Sequence, residues 1–371
     1  MITGDNMEAY DFKTDVCIVG AGPAGALLAY LLSSHNISVI LVERNENINK
    51  EFRGEHLNET GEAILRRYEL FDELEEIGLL RMDRVEYWNH GKVFKRIMPD
   101  EHVNHCGIHV PQKHLLGLLL KKSEPFSDFK LLLNTKVVEL LEEEGQYQGV
   151  KAIKDGQELT IKSSLIVGAD GRFSTIRKLA GIPFEKVKHG YDLLWARIPA
   201  PTDWEPTVRM ALVNDDQLAL FTQQGGYIQI GWNIQEGSYP ALRKQSITPF
   251  VSQLIDAFPQ LEETVHASIQ SWDDFVLLQV QSSKSETWVK NNLVIIGDAA
   301  HTMSPTGAIG INSAMKDADV LFQIMMDAGS INQVSSLDLQ VFEQIRRNEV
   351  DTQQKEQLKK EASFGKQFIP V

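Results

Sequence analysis

Glycines at positions 20, 22 and 25 follow the apolar run Val16 to Val19 and lead into the Ala- and Leu-rich stretch from Ala24 to Ser34. A glycine turn between a buried strand and a helix suits diphosphate chemistry. Gly20 permits the tight turn, Gly22 removes a side chain that would collide with a pyrophosphate, and Gly25 lets the helix lie close on the strand. Amides at the helix start, around Ala24, then face the phosphates. Glu43 stands eighteen residues past Gly25, at the end of the next apolar run, Val39 to Val42. A carboxylate there can hold both hydroxyls of a ribose, and it argues against a 2′-phosphate. The pattern therefore suits FAD or NAD at this ribose rather than NADP. Arg44 beside it is either a second contact or a solvated cation.

A second constellation begins about 280 residues later. Gly297 and Asp298 follow the apolar run Leu293 to Ile296, and Pro305, Gly307, Gly310, Ile311 and Asn312 lead into another helix. A short acid at a strand end can accept a hydrogen bond from a polyol, or can cap a turn. Gly307 and Gly310 allow close backbone approach. The positive helix end near Ile311 and Asn312 would favour an anion by about 0.3–2 kcal/mol. Between the two sets lies Gly168-Ala-Asp170-Gly171-x-x-Ser174-x-x-Arg177. His102, His105, Cys106 and His109 fall within eight residues, so a metal site is conceivable. Alternation towards Val110-Pro111 would scatter those ligands over two faces; no metal is expected, and surface or pocket imidazoles fit better.

The elements that must carry these groups are legible from periodicity. Val16 to Val19, Ala24 to Ser34 and Val39 to Val42 form a βαβ unit preceded by a leader, residues 1–13, without pattern. Glu59 to Tyr68 and Leu115 to Lys122 read as helices; Phe129 to Leu141, Tyr147 to Ile153 and Glu158 to Val167 read as strands. From about Tyr191 to Leu278 alternation dominates: Leu193 to Ile198, Thr207 to Val213, Gln217 to Gln223, and Tyr227 to Ile234, with Gly225-Gly226 as a hairpin turn. One helix is expected at Thr248 to Phe258, a long one from about Ile311, and a charged one from Ser336. The expected class is α/β: a Rossmann-like dinucleotide domain with an inserted, mostly antiparallel sheet and C-terminal helices. Its first part spans 14–190, with strands near 85–112 shared with the insert; the insert spans 191–285, and 286–371 completes the first domain.

The three glycine motifs, in this order and at these spacings, resemble the single-component flavoprotein monooxygenases of the para-hydroxybenzoate hydroxylase type, over about Asp15 to Leu321. The resemblance implies FAD, bound at its ADP part by Gly20, Gly22, Gly25 and Glu43. It implies that Arg53 and Gln112 approach the flavin, that Asp170 and Arg177 serve the FAD and NAD(P)H pyrophosphates, and that Asp298 holds ribityl. Pro305 and the backbone from Gly307 to Asn312 would line the face where oxygen reacts. NADPH or NADH would reduce the flavin, O2 would form a flavin C4a-hydroperoxide, and one oxygen atom would pass to an electron-rich substrate. The chain departs from the family's Gly-Gly-x-Gly turn at Ala308 and Ile309. No side-chain acid or base is nominated, since the flavin carries the chemistry. The substrate floor is expected on the sheet, with Met210, Leu212, Phe221, Gln223, Ile230 and Trp232 as candidates for an aromatic, quinone-like or other apolar ligand.

Two further readings stay open. An FAD-dependent epoxidase or isoprenoid-type double-bond reductase shares the motifs; a halogenase is disfavoured because Trp232-Asn-Ile lacks the Trp-x-Trp-x-Ile-Pro pattern. A flavin-binding sensor, with Leu337 to Lys360 as a partner surface, is the reading of another class. A formal charge of −14 without a Lys/Arg block argues against nucleic acid. Two cysteines give no disulfide framework, and Cys17 reads as a core residue. No run of eighteen apolar residues predicts a membrane span, and acidic interruptions at the N-terminus argue against a signal peptide, so a cytoplasmic location is expected. Gly-x-Ser-x-Gly and His-Glu-x-x-His are both absent from the sequence. Nothing in the sequence sets an oligomeric state.

Overall fold

A computed structural model describes residues 10–48 and 55–368. Of the residues singled out above, Arg53 lies outside them. The continuous apolar runs become central parallel strands, as burial on both faces requires. Tyr10–Val19 pairs in parallel with Val39–Val42 on one side and with Gln157–Gly168 on the other. Phe129–Leu132 and Leu293–Ile295 extend the parallel sheet outward. Thr135–Glu143 and Gln146–Lys154 add an antiparallel flap to Gln157–Gly168. The first strand begins at Tyr10, so the end of the expected leader is ordered sheet.

The Pro23–Ser33 helix packs on this sheet with Leu27, Leu28, Leu31 and Leu32 buried. The Gly310–Asp327 helix lies against it, and Ser336–Ala362 packs on that helix through Leu339, Phe342, Arg346 and Val350. The charged C-terminal helix is therefore part of the fold. Leu337, Val341, Ile345 and Leu358 remain exposed on its outer face.

The second sheet runs in the order His301–Thr302, Val276–Ser285, Phe184–Pro199, Tyr227–Gln235, Asp216–Gln223, Thr207–Val213, Arg84–Asn89, Lys92–Ile97. Gly225 and Gly226, both with positive φ, make the expected hairpin turn. One face is closed by the helices Thr248–Ala257 and Glu262–Ser268 over Leu194, Ile198, Leu220, Ile230, Trp232 and Phe258. The opposite face looks towards the parallel sheet, and the cavities lie there. No helix among the described residues is long and apolar enough to cross a membrane.

Candidate active site

A cavity of about 480 Å³ runs along the carboxyl ends of the parallel strands and on to the second sheet. That is where ligands of open α/β sheets bind, and the volume falls in the usual range for ligand sites. Gly20, Gly22, Ala24, Glu43, Arg44, Gln112, Asp170, Asp298, Pro305, Gly310 and Ile311 all line it, so residues from distant parts of the chain converge. The glycines divide the work as their surroundings dictate. A Cβ on Gly25 would stand 2.0 Å from the Gly20 carbonyl oxygen, whereas a Cβ on Gly22 would meet nothing within 4 Å. Gly25 therefore serves the helix–strand contact, and Gly22 keeps open the space in the cavity. The Ala21 amide donates to Glu43 Oε2 at 3.0 Å, and the Asn45 amide donates to Oε1 at 3.1 Å, fixing the carboxylate at its strand end.

Arg177 and Asn312 brace the cavity instead of lining it, and Asp170 does both. The Arg177 guanidinium donates to the carbonyls of Ala299 (2.7 Å) and Arg172 (2.9 Å), tying the Asp298 turn to the Gly171 loop. Asp170 accepts from Ser174 Oγ and from the amides of Thr175 and Ile176, so it holds that loop as well as facing the cavity. Burial pushes its carboxyl above the usual range. Asn312 turns away: its amide donates to the carbonyls of His56 (3.0 Å) and Ala308 (3.1 Å), and its oxygen accepts from the Asn58 amide (3.1 Å). Ala308 has φ of 51°, a left-handed conformation in which glycine is the unstrained residue.

The Gly297-Asp298 turn rests on a buried charge network that the sequence reading missed. Asp317, about two turns into the Gly310–Asp327 helix, accepts from the Gly297 amide (2.7 Å), His301 Nε2 (2.8 Å) and Arg346 Nε (2.7 Å). Asp317 and Arg346 are both fully buried, and Arg346 also donates to Ser313 Oγ at 3.0 Å. Burial raises the Asp317 carboxyl, but His301 and Arg346 outweigh it and hold the group below the usual carboxylate range. An Asp 19 residues past Asp298, within a helix rich in Ala, Ile, Leu and Met, was the available signal.

A second cavity of about 370 Å³ adjoins the first, walled mainly by Leu57, Val85, Leu193, Val208, Met210 and Ala219. Of the six nominated floor residues, Met210 and Phe221 line it. Ile230 and Trp232 do not. Strand alternation turns them to the helix-covered face, where Trp232 stacks on Phe250 at 3.6 Å. Leu212 and Gln223 line neither cavity; Gln223 Nε2 donates to Gln229 Oε1 at 2.8 Å. Gly307 lines the second cavity, not the first. At the far wall, Glu361 accepts from Ser304 Oγ (2.7 Å) and Thr306 Oγ1 (2.6 Å) and pairs with His189 Nδ1 (2.6 Å). Burial raises its carboxyl, and these partners more than offset that, leaving it below the usual range.

The histidine cluster is not a surface feature as expected. His105 and His109 are buried, paired with Glu62 (2.8 Å) and Glu55 (3.2 Å), while His102 is exposed. Among the described residues no three His, Cys, Asp or Glu side chains gather as a metal site requires.

Residues 13–338 match a family described as FAD binding domain. The chain belongs to that family. It is 34% identical over 310 residues to a 6-methylpretetramide 4-monooxygenase of Streptomyces rimosus, covering 82% of this chain and 73% of the relative. It is 26% identical to squalene epoxidase 4 of Arabidopsis thaliana over 85% of this chain, but spans only 62% of that protein. Among solved structures, PqsL of P. aeruginosa superposes with a TM-score of 0.82 over 95% of this chain and 96% of the other, at 18% identity, which shows a shared fold. This member of the FAD-binding family is an FAD-dependent monooxygenase of the aromatic hydroxylase kind.

Proposed function

We propose that FAD lies in the longer cavity, with its adenosine ribose at Glu43, its diphosphate over Gly20 and Gly22, its ribityl chain at Asp298, and its ring system against Pro305 and the start of the Gly310–Asp327 helix. NADPH or NADH serves as reductant and O2 as oxidant, and an aromatic or quinone-like small molecule in the second cavity receives one oxygen atom. The fit rests on the open space at Gly22, which any Cβ would occupy, and on the helix N-terminus, where Gly310 and Ile311 line the same cavity as Asp298. Bound FAD would accept hydride from the nicotinamide and activate oxygen; this chain's residues bind, orient and exclude water.

The observation that carries the reading is that the two cavities meet. His56, Trp195, Phe221, Pro305 and Ala308 line both. A ligand in the second cavity therefore abuts whatever occupies this end of the first, with Trp195 and Phe221 as aromatic walls at the junction. The predominantly apolar lining suits a ring system.

The test is to mix the purified protein with NADPH or NADH without oxygen, then in air with hydroxylated aromatics and quinones. Bleaching of the flavin band, followed by ligand-dependent O2 uptake and a product one oxygen atom heavier, is expected. A flavin that neither nucleotide reduces, with any ligand, moves the protein to a sensor or binding role.

A further inference from the structure

Of the five residues shared by the two cavities, His56 alone has a titratable side chain. Its Nε2 is buried and has no hydrogen-bond partner. An unsatisfied polar atom in an apolar wall costs about 1–3 kcal/mol unless a ligand or water completes it. The ring is held firmly. The His56 backbone pairs with His109 in a short ladder, and its carbonyl accepts from the Asn312 side chain at 3.0 Å. On its flanks it meets Phe221 at 5.2 Å and His109 at 5.7 Å between ring centroids.

His109 is committed elsewhere. The Gln224 amide donates to its Nδ1 at 3.1 Å, so Nε2 carries the proton and faces Glu55 at 3.2 Å. Glu55 also accepts from the Gln112 amide at 3.1 Å. The neighbouring ionisable groups are thus engaged with one another, and His56 Nε2, on a residue that lines the junction, is left without a partner. Burial, helped by His109, pushes the His56 imidazole down to about 3, so it is a neutral ring with one donor and one acceptor nitrogen.

We infer that His56 Nε2 is the hydrogen-bond partner of a hydroxyl group on the substrate, and so fixes which ring carbon faces the flavin end of the junction. The inference rests on the proposed placement of substrate in the second cavity. A neutral imidazole can donate to or accept from a phenolic or enolic oxygen without bringing a second buried charge to the site. A ring lacking that oxygen would leave Nε2 unsatisfied, which is the strongest form of discrimination a buried polar group gives.

The test is equilibrium dialysis of 1-naphthol and naphthalene against the FAD-loaded wild type, His56→Leu and His56→Gln, with melting temperature and flavin content confirming each fold. The naphthol-to-naphthalene affinity ratio should fall about 5- to 100-fold in His56→Leu and be largely kept in His56→Gln, whose amide can still hydrogen-bond. In the wild type, the 15N resonance of His56 Nε2 should shift with 1-naphthol and not with naphthalene, which reads the contact without any substitution. An unchanged ratio in His56→Leu, no response of Nε2 to naphthol, or failure of both compounds to bind the wild type overturns the assignment. Binding is read without turnover, so failure of the reductant and oxygen chemistry would leave this result interpretable, and failure here would leave that chemistry standing.

Discussion

Replacing Asp317 by alanine tests whether the Asp298 turn is held from beneath. The change strips the acceptor from the Gly297 amide, His301 and Arg346 together, and leaves the Arg346 guanidinium fully buried with Glu349 and Ser313 as its remaining partners. Breaking a buried pair from one side costs about 3–5 kcal/mol. For a chain of 371 residues, with an unfolding entropy of about 2.1 cal/mol/K per residue, that lowers Tm by about 4–6 °C. Loss of the acceptor for Gly297 loosens the turn as well and should weaken FAD about tenfold, the equivalent of one hydrogen bond. Thermal unfolding of apoprotein and flavin-fluorescence titration measure the two effects separately. The pH dependence has a definite sign. Because the folded carboxyl is held below its ordinary value, its contribution is fully present above the unfolded value of about 3.9 and is lost as pH falls through the folded value. The stability difference between the wild type and Asp317→Asn should therefore hold down to about pH 4 and shrink as pH falls further below about 3.9. A Tm within about 1 °C of the wild type, with FAD affinity unchanged, would refute the network as support for the turn.

Gly22 and Gly25 should respond in opposite ways. Gly22→Val meets open space, so the apoprotein should melt as the wild type does while FAD binding collapses; Gly25→Ala, which in an ordinary helix gains about 1 kcal/mol, should instead destabilise the apoprotein in thermal unfolding because its Cβ meets the Gly20 carbonyl. Trp232→Ala should cost about 3–5 kcal/mol in denaturant unfolding and leave ligand selectivity unchanged, since the ring packs among the helices on the far face. Burial pushes the Cys17 thiol up to about 12 and leaves it without solvent access, so a thiol-exchange reagent should modify Cys106 alone until the protein unfolds.

The parts of the fold that follow from local pattern were legible in the sequence. Val39–Val42 and Thr207–Val213 keep the expected bounds, because an unbroken apolar run or a strict alternation sets them. The convergence of Gly20, Glu43, Asp298 and Pro305 on one cavity was legible too, through motif order. What escaped depends on facing. Alternation says that neighbours point oppositely, but not which set meets the cavity, so Ile230 and Trp232 were placed on the wrong side of their sheet while Met210 and Phe221 were not. Asn312 shows the same difficulty on a helix, where one residue's rotation turns a cavity contact into a clamp on His56 and Asn58. Asp317 and Arg346 lie on different helices, 29 residues apart in sequence, and are joined only in three dimensions, so no local period announces such a pair.

The most direct test of the account is the flavin content of the purified, untreated protein and of its Gly22→Val variant. One FAD per wild-type chain, released on denaturation and identified by mass, and a folded but colourless variant are expected. A wild-type protein that is folded, colourless and unable to take up added FAD would contradict it.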